Sequence, residues 1–163
     1  MSYNKFRGKN KELFWFGMIF AGVVVAFWFI FSWFRADMFY AQGQTLADNG
    51  QLLKSALSLE KSTALWPREP AYYKALAATY ARLARVYSGE NQEKFANFAA
   101  DAAGKAYKLN PYNILTLKSI ITTYYTLSLF DNEYQGKTLQ LVEKSLEMSL
   151  TDPTLWYLKG VVH

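Results

Sequence analysis

Glu60-Lys61-Ser62-Thr63-Ala64-Leu65-Trp66-Pro67 is the first of three stretches in this chain that end alike. Gly104-Lys105-Ala106-Tyr107-Lys108-Leu109-Asn110-Pro111 is the second, and Glu143-Lys144-Ser145-Leu146, running on to Asp152-Pro153, is the third. Each proline is followed within a few residues by a helical run of aromatic and aliphatic side chains. Proline closes one helix because it lacks an amide proton, and it is well suited to open the next. Punctuation of this kind marks an array of helical hairpins.

The pattern resembles the tetratricopeptide repeat, a helix-turn-helix unit of about 34 residues. With repeat position 1 at Ala36 the first unit fits without a gap. Phe39 takes the large fourth position, Gly43 the small eighth, Leu46 the eleventh, Gly50 the turn and Pro67 the end. The eighth position is small because the paired helix crosses there, and the turn glycine supplies a backbone angle that costs other residues energy. Ser55 and Ser62 stand where alanine is usual, and Gln42 replaces leucine. The second unit starts at Pro70. Tyr73, Leu76, Ala77 and Tyr80 match its first helix and Ala99, Ala106 and Pro111 its second, with an insertion around Tyr87 to Asn97 that lengthens both. The third unit starts at Ile114, with Leu117, Ile120, Ile121 and Tyr124 on its buried stripe. Gly43, Ala77, Tyr80, Ala99, Ala106 and Tyr124 are therefore the expected packing residues. Trp156 and Gly160 open a fourth unit that stops unfinished at His163.

Outward from the repeats, the chain changes character before Ala36. Residues 13–34 hold no charge, and ten of these 22 side chains are aromatic. At 1.5 Å per residue they span roughly 33 Å, enough for a hydrocarbon core of about 30 Å. Trp15 and Trp33 suit the two boundaries of a bilayer. A cleaved signal peptide has a shorter apolar core and small residues at its cleavage site. Ser32-Trp33-Phe34-Arg35 places bulky groups there instead. Lys5, Arg7, Lys9 and Lys11 precede the run and only Arg35 follows closely. The N-terminus is thus expected in the cytoplasm. No glycine or proline separates Phe34 from Gln42, so one continuous helix is expected from Leu13 to about Asp48. Gly17 with Ala21, and Gly22 with Ala26, are spaced for close approach of another helix or are ordinary lipid-facing small residues.

The fold expected is all-α, one transmembrane helix running into an α-solenoid of tetratricopeptide-type helical hairpins. Its parts are a cytoplasmic basic tail (1–12), a transmembrane helix (13–34), repeat 1 (36–69), repeat 2 with its inter-helix insertion (70–113), repeat 3 (114–154) and the start of an incomplete repeat 4 (155–163). The repeats would lie in the periplasm or outside the cell, on a single-pass protein of the inner or plasma membrane.

Chemistry is scarce. His163 is the one histidine and cysteine is absent, so a catalytic triad, a thiolate site or a histidine metal cluster has nothing to be built from. No cofactor, metal or catalytic residue is expected. Ser58-Leu59-Glu60-Lys61 spells the Ser-x-x-Lys of penicillin-recognising enzymes but lies mid-helix without companion motifs. The net charge of +5 would suggest nucleic acid if it sat on one face. The first dozen residues alone carry +3, from four cations against Glu12, and a membrane flank explains them, so no nucleic acid is expected.

The groove of such an array is usually lined by first-helix positions 2, 5, 9, 12 and 13. In unit 2 these are Ala71, Lys74, Ala78, Ala81 and Arg82, and in unit 3 Leu115, Lys118, Thr122, Tyr125 and Thr126. Lys74, Arg82, Lys118 and Tyr125 are the candidate binding residues, a mildly basic set for an acidic peptide or an anionic glycan. The asparagines of the carboxylate-clamp repeats are missing. Trp156, Tyr157 and Val161, with Leu158 and Val162, belong to a first helix without its partner and form a candidate assembly surface for a protein partner or further repeats.

The run Pro70-Ala71-Tyr72-Tyr73-Lys74-Ala75-Leu76-Ala77-Ala78-Thr79-Tyr80-Ala81-Arg82-Leu83-Ala84, shortly after Asp37-Met38-Phe39-Tyr40-Ala41-Gln42-Gly43, resembles the tail of bacterial O-antigen ligase and polymerase-type membrane proteins. In some of these the last membrane helix leads directly into extracytoplasmic repeats. The resemblance implies a non-catalytic part of a glycan-assembly protein, because the catalytic loops of that family have no counterpart here. Three readings follow: a membrane-anchored scaffold for protein interaction, the tail of a glycan ligase or polymerase, and a self-assembling structural subunit.

Overall fold

The computed structural model describes residues 4–162, with side chains from Phe14 onward. The basic side chains ahead of Leu13 and the terminal His163 lie outside the described residues. Among the described residues seven helices follow one another: α1 (Asn4–Asp48), α2 (Leu52–Leu65), α3 (Pro70–Val86), α4 (Glu90–Leu109), α5 (Ile114–Ser128), α6 (Glu133–Met148) and α7 (Pro153–Val162). The unbroken helix expected through Arg35 is present, and it extends back to Asn4. From Phe14 to Arg35 its side chains are exposed on all sides except the half-buried Ser32. Ala36, the next residue, is wholly buried.

The helices pair as α1 with α2, α3 with α4 and α5 with α6, and successive pairs stack through α2 on α3 and α3 on α5. Turn chemistry explains the reversals. Gly50 and Gly89 have φ of +74° and +63°, in the left-handed region where a Cβ is penalised. Glu69 and Asn113 cap α3 and α5, their side chains accepting from the amides of Ala71 at 3.1 Å and Thr116 at 2.9 Å. Such caps satisfy orphan amides at helix starts. The insertion in the second unit appears as longer helices, 17 and 20 residues against 14 in α2.

Small residues let the helices approach. Ala77, Ala81 and Ala84 of α3 are buried with Ala96, Ala99, Ala103 and Ala106 of α4. Large side chains fill the remaining space, with Leu59, Leu83, Ile120 and Leu127 in one cluster and Ile121, Val142, Leu146 and Leu155 in a second. Full burial of such a side chain contributes roughly 1.5–3 kcal/mol. The serines that replaced alanine have partners. Ser55 donates to the Gly43 carbonyl at 2.8 Å and Ser62 to the Leu59 carbonyl at 2.7 Å, and both are wholly buried. Tyr80 donates to the Glu60 carboxylate, tying α3 to α2, and burial followed by that carboxylate raises the phenol's pKa.

α2 crosses α1 at Gly43. A Cβ there would stand 2.6 Å from Cγ of Leu59 and 2.8 Å from its Cδ2. Gly136, in α6, would meet nothing within 4 Å. The two glycines should therefore respond oppositely to alanine. Gly136→Ala should stabilise by about 0.5–1 kcal/mol through lower backbone entropy of the unfolded chain. Gly43→Ala should destabilise by roughly 1–3 kcal/mol through overpacking. Thermal denaturation of the two variants measures this, and a similar rise in both melting temperatures would show that Leu59 is not seated on Gly43.

Candidate functional site

First helices α1, α3 and α5 form one layer, and the residues they turn away from the second helices make a continuous face. A recess of about 280 Å³ on it lies between α1 and α3 and is lined by Gln44, Ala47, Asp48, Ala75, Ala78 and Arg82, with Leu59 and Thr79 beneath. Arg82 is exposed, and its Nη2 donates to the Ala47 carbonyl at 3.1 Å. That carbonyl also accepts from the Gly50 amide at 3.1 Å, so the guanidinium adds a second donor and a positive charge at the negative end of α1.

The other three candidate residues do not line this recess. Lys74 is half-buried on α3 and has no ion pair among the described residues. Lys118 is bound to Asp152, at the α6–α7 turn, with the carboxylate largely covered. Tyr125 is half-buried on α5. The mildly basic groove expected from these cations is thus modified in two ways. Arg82 and Lys118 each hold an intramolecular partner, and α1 contributes Asp37 and Asp48 to the same layer.

Asp37, Tyr40, Gln44, Ala47 and Asp48 are the first-unit residues that sequence reasoning passed over. The signal for them was present, because they occupy positions 2, 5, 9, 12 and 13 counted from Ala36. Tyr40 packs against Tyr72 with ring centroids 5.0 Å apart and planes tilted by 36°, and Gln44 donates to the Tyr40 hydroxyl at 2.8 Å. Burial, and then Asp37 and Glu69, raise both phenols, Tyr72 to about 12. Tyr72 is buried and Tyr40 half-buried, so this pair is packing between α1 and α3 and not open surface. Among the described residues no three acidic or histidine side chains converge on a metal site.

At the far end, Leu155 is wholly buried and Val162 almost so, whereas Trp156, Tyr157 and Val161 are exposed. Val162 thus departs from the expectation that it adds to the open surface. α7 turns it inward against α6, where the Gln135 amide donates to its carbonyl at 2.8 Å.

An array of tetratricopeptide-type hairpins, preceded by one long apolar helix, is the class of protein this arrangement defines. The sequence matches no protein-family model and no curated protein. Solved structures do match in fold. The tetratricopeptide-repeat domain of Arabidopsis OM64 superposes with a TM-score of 0.63 at 13% identity, over 81% of this chain and 97% of that one. The first such domain of Spaghetti (RPAP3), bound to the HSP90 peptide SRMEEVD, gives 0.63 at 15% identity, over 80% and 91%.

Asp152 offers a test of how the last helix is held. The Lys118 ammonium, then the Thr154 amide, lower its pKa below the ordinary 3.8. A carboxylate depressed in the folded state stabilises it above the unfolded pKa, and that contribution is lost as pH falls through the folded value. Asp152→Asn keeps an acceptor for Thr154 and removes the charge. Its melting temperature should lie below that of the parent well above pH 3.8 and converge with it in stronger acid. A gap that persists unchanged into strong acid would mean the ion pair contributes nothing.

Proposed function

We propose that this chain is a membrane-anchored scaffold. The apolar part of α1 crosses the bilayer once, the N-terminus is cytoplasmic, and the first-helix face holds a segment of a protein partner on the extracytoplasmic side. The observation that carries the reading is the change of surroundings within α1. Residues 14–31 are all exposed, touched by the array at Phe29 through Trp66, and from Ala36 the same helix is packed into the array. One helix among the described residues is long and apolar enough to cross a membrane, and none of its apolar window is buried, unlike the core helix of a soluble domain. A signal sequence passes the same length test, but peptidase cleavage after Phe34 would fall inside a continuous helix. In an apolar medium that helix also satisfies its own backbone.

Binding of a peptide segment is supported by the small side chains Ala75 and Ala78, which leave a recess between α1 and α3, and by the charged rim around it. The Spaghetti domain is bound to a peptide, and the shared fold motivates a ligand of that general class. Its sequence preference does not carry over, since this face mixes Asp37 and Asp48 with Lys74 and Arg82.

The uninterrupted join at Arg35 favours a second reading. It is the arrangement implied by resemblance to O-antigen ligase and polymerase-type proteins, of which the chain would be a non-catalytic tail, with an anionic glycan on the same face. Further apolar segments encoded upstream in the same reading frame would decide for it. The open surface of α7 supports self-assembly or further repeats as an addition to either reading.

Topology and binding face are separately testable. Cysteine reporters at Ser2 and Ser88 should respond oppositely to a membrane-impermeant thiol reagent in intact cells, with Ser88 labelled. Labelling at Ser2 alone refutes the orientation. A photo-crosslinking residue at Ala78 or Thr122 should give discrete adducts in native membranes, and one at Asn97 or Gln140, on the second helices, should not. Adducts from the second-helix positions alone would move the binding site off this face.

A further inference from the structure

Trp66 closes α2, and its indole meets the Phe29 ring edge-on, with centroids 6.0 Å apart and planes at 90°. Phe29 lies six residues before Arg35. That is about 9 Å down the axis at 1.5 Å per residue. The α2–α3 turn therefore reaches past Arg35 onto the flank of the apolar stretch.

Helix order extends this contact to the whole array. Successive helices reverse direction, so the turns α2–α3, α4–α5 and α6–α7 share the edge from which the apolar part of α1 departs. The other three turns share the opposite edge. The near edge exposes Tyr112 at 75% and Leu150 at 69%. Trp156 lies over the last of these turns, its indole donating to the Leu150 carbonyl at 2.8 Å. Cations accompany the rings: Arg68 follows Trp66, and Lys144 sits 5.1 Å over the Tyr112 ring. The acids of these turns are engaged, Glu69 as the cap of α3 and Asp152 with Lys118.

The far edge exposes apolar side chains to a similar degree, Val86 at 71% and Leu129 at 61%. Its chemistry differs. Its aromatic rings, Tyr87 and Phe130, are half-buried, and Glu90, Glu93, Asp131 and Glu133 flank the turns together with Lys54, Arg85 and Lys94, Glu133 being paired with Lys137. Rings with a polar tip beside cations suit a lipid boundary, where anionic headgroups attract basic residues and repel acids.

Resting on the anchor reading above, we propose that the near edge of the array lies on the lipid surface, with Trp66 in the boundary beside Phe29 and Tyr112 and Leu150 against the headgroups. The array then has a fixed height and tilt, and is not free to swivel on α1.

The chain has no cysteine, so single labels can be placed at will. The full-length variants Tyr112→Cys, Leu150→Cys, Val86→Cys, Leu129→Cys and Val24→Cys would carry a nitrobenzoxadiazole fluorophore in nanodiscs of phosphatidylcholine and phosphatidylglycerol. The first four sites are exposed, and circular dichroism verifies that the helices persist. Emission at residues 112 and 150 should shift to the blue and be largely quenched by lipids spin-labelled at the headgroup. Residues 86 and 129 should give water-like emission without quenching. Quenching at 112 and 150 no stronger than at 86 and 129 overturns the proposal. If Val24→Cys is still quenched by acyl-chain spin labels, the anchor stands without the contact edge. If Val24→Cys is unquenched, the anchor falls and the proposal with it.

Discussion

Everything in this structure is referred to one helix that does not break. α1 meets two environments in succession, and its backbone is the same in both, because an α-helix satisfies its own amides and carbonyls wherever it lies. Only the side chains change. Ten aromatics crowd the apolar stretch, and within two residues of Phe34 the small Ala36 is already wholly buried. With no linker at the join, rotation and tilt of the apolar stretch are transmitted directly to the first hairpin, and through stacking to the others.

Stacking in turn depends on the crossing at Gly43. A hairpin of this size cannot bury its apolar stripe alone, and neighbouring units complete the core. Leu59 occupies the space left by the missing Cβ, while Ser55 donates to the Gly43 carbonyl and lies 3.4 Å from the Thr79 hydroxyl of the next unit. One crossing thus links three helices. The alanines between α3 and α4 repeat the same solution by close approach. No buried side-chain polar atom among the described residues lacks a hydrogen-bond partner. This matters in an array with nine buried serines and threonines, since each orphaned group costs about 1–3 kcal/mol.

The outer surfaces that remain are products of this packing. The first-helix face mixes both charge signs around the half-buried Tyr40. Arg82 links that face to the end of α1, and Lys118 links it to the start of α7. Charges that look available on a helical wheel thereby serve the stacking of one unit on the next. α7 is held by Leu155 and Val162 on its inner side and presents Trp156, Tyr157 and Val161 outward.

The sequence by itself determined the helical class, the position of the first crossing, and the continuity of α1 through Arg35 to its end at Asp48; its start at Asn4, nine residues before Leu13, was not foreseen. These are properties of the local chain: proline cannot continue a helix, glycine alone leaves room for Leu59, and an uncharged run of 22 residues is visible in any order of reading. The first-unit face was equally legible, since the register from Ala36 names Asp37, Tyr40, Gln44, Ala47 and Asp48. Only the tertiary structure decided the partners: Arg82 with the Ala47 carbonyl, Lys118 with Asp152, Trp66 with Phe29, and Val162 turned inward. Each joins residues some 27 to 37 positions apart. Such pairings depend on how far one helix rotates against the next, and that angle is set by the shapes of interlocking side chains, about which the spacing of residues along the chain carries no information.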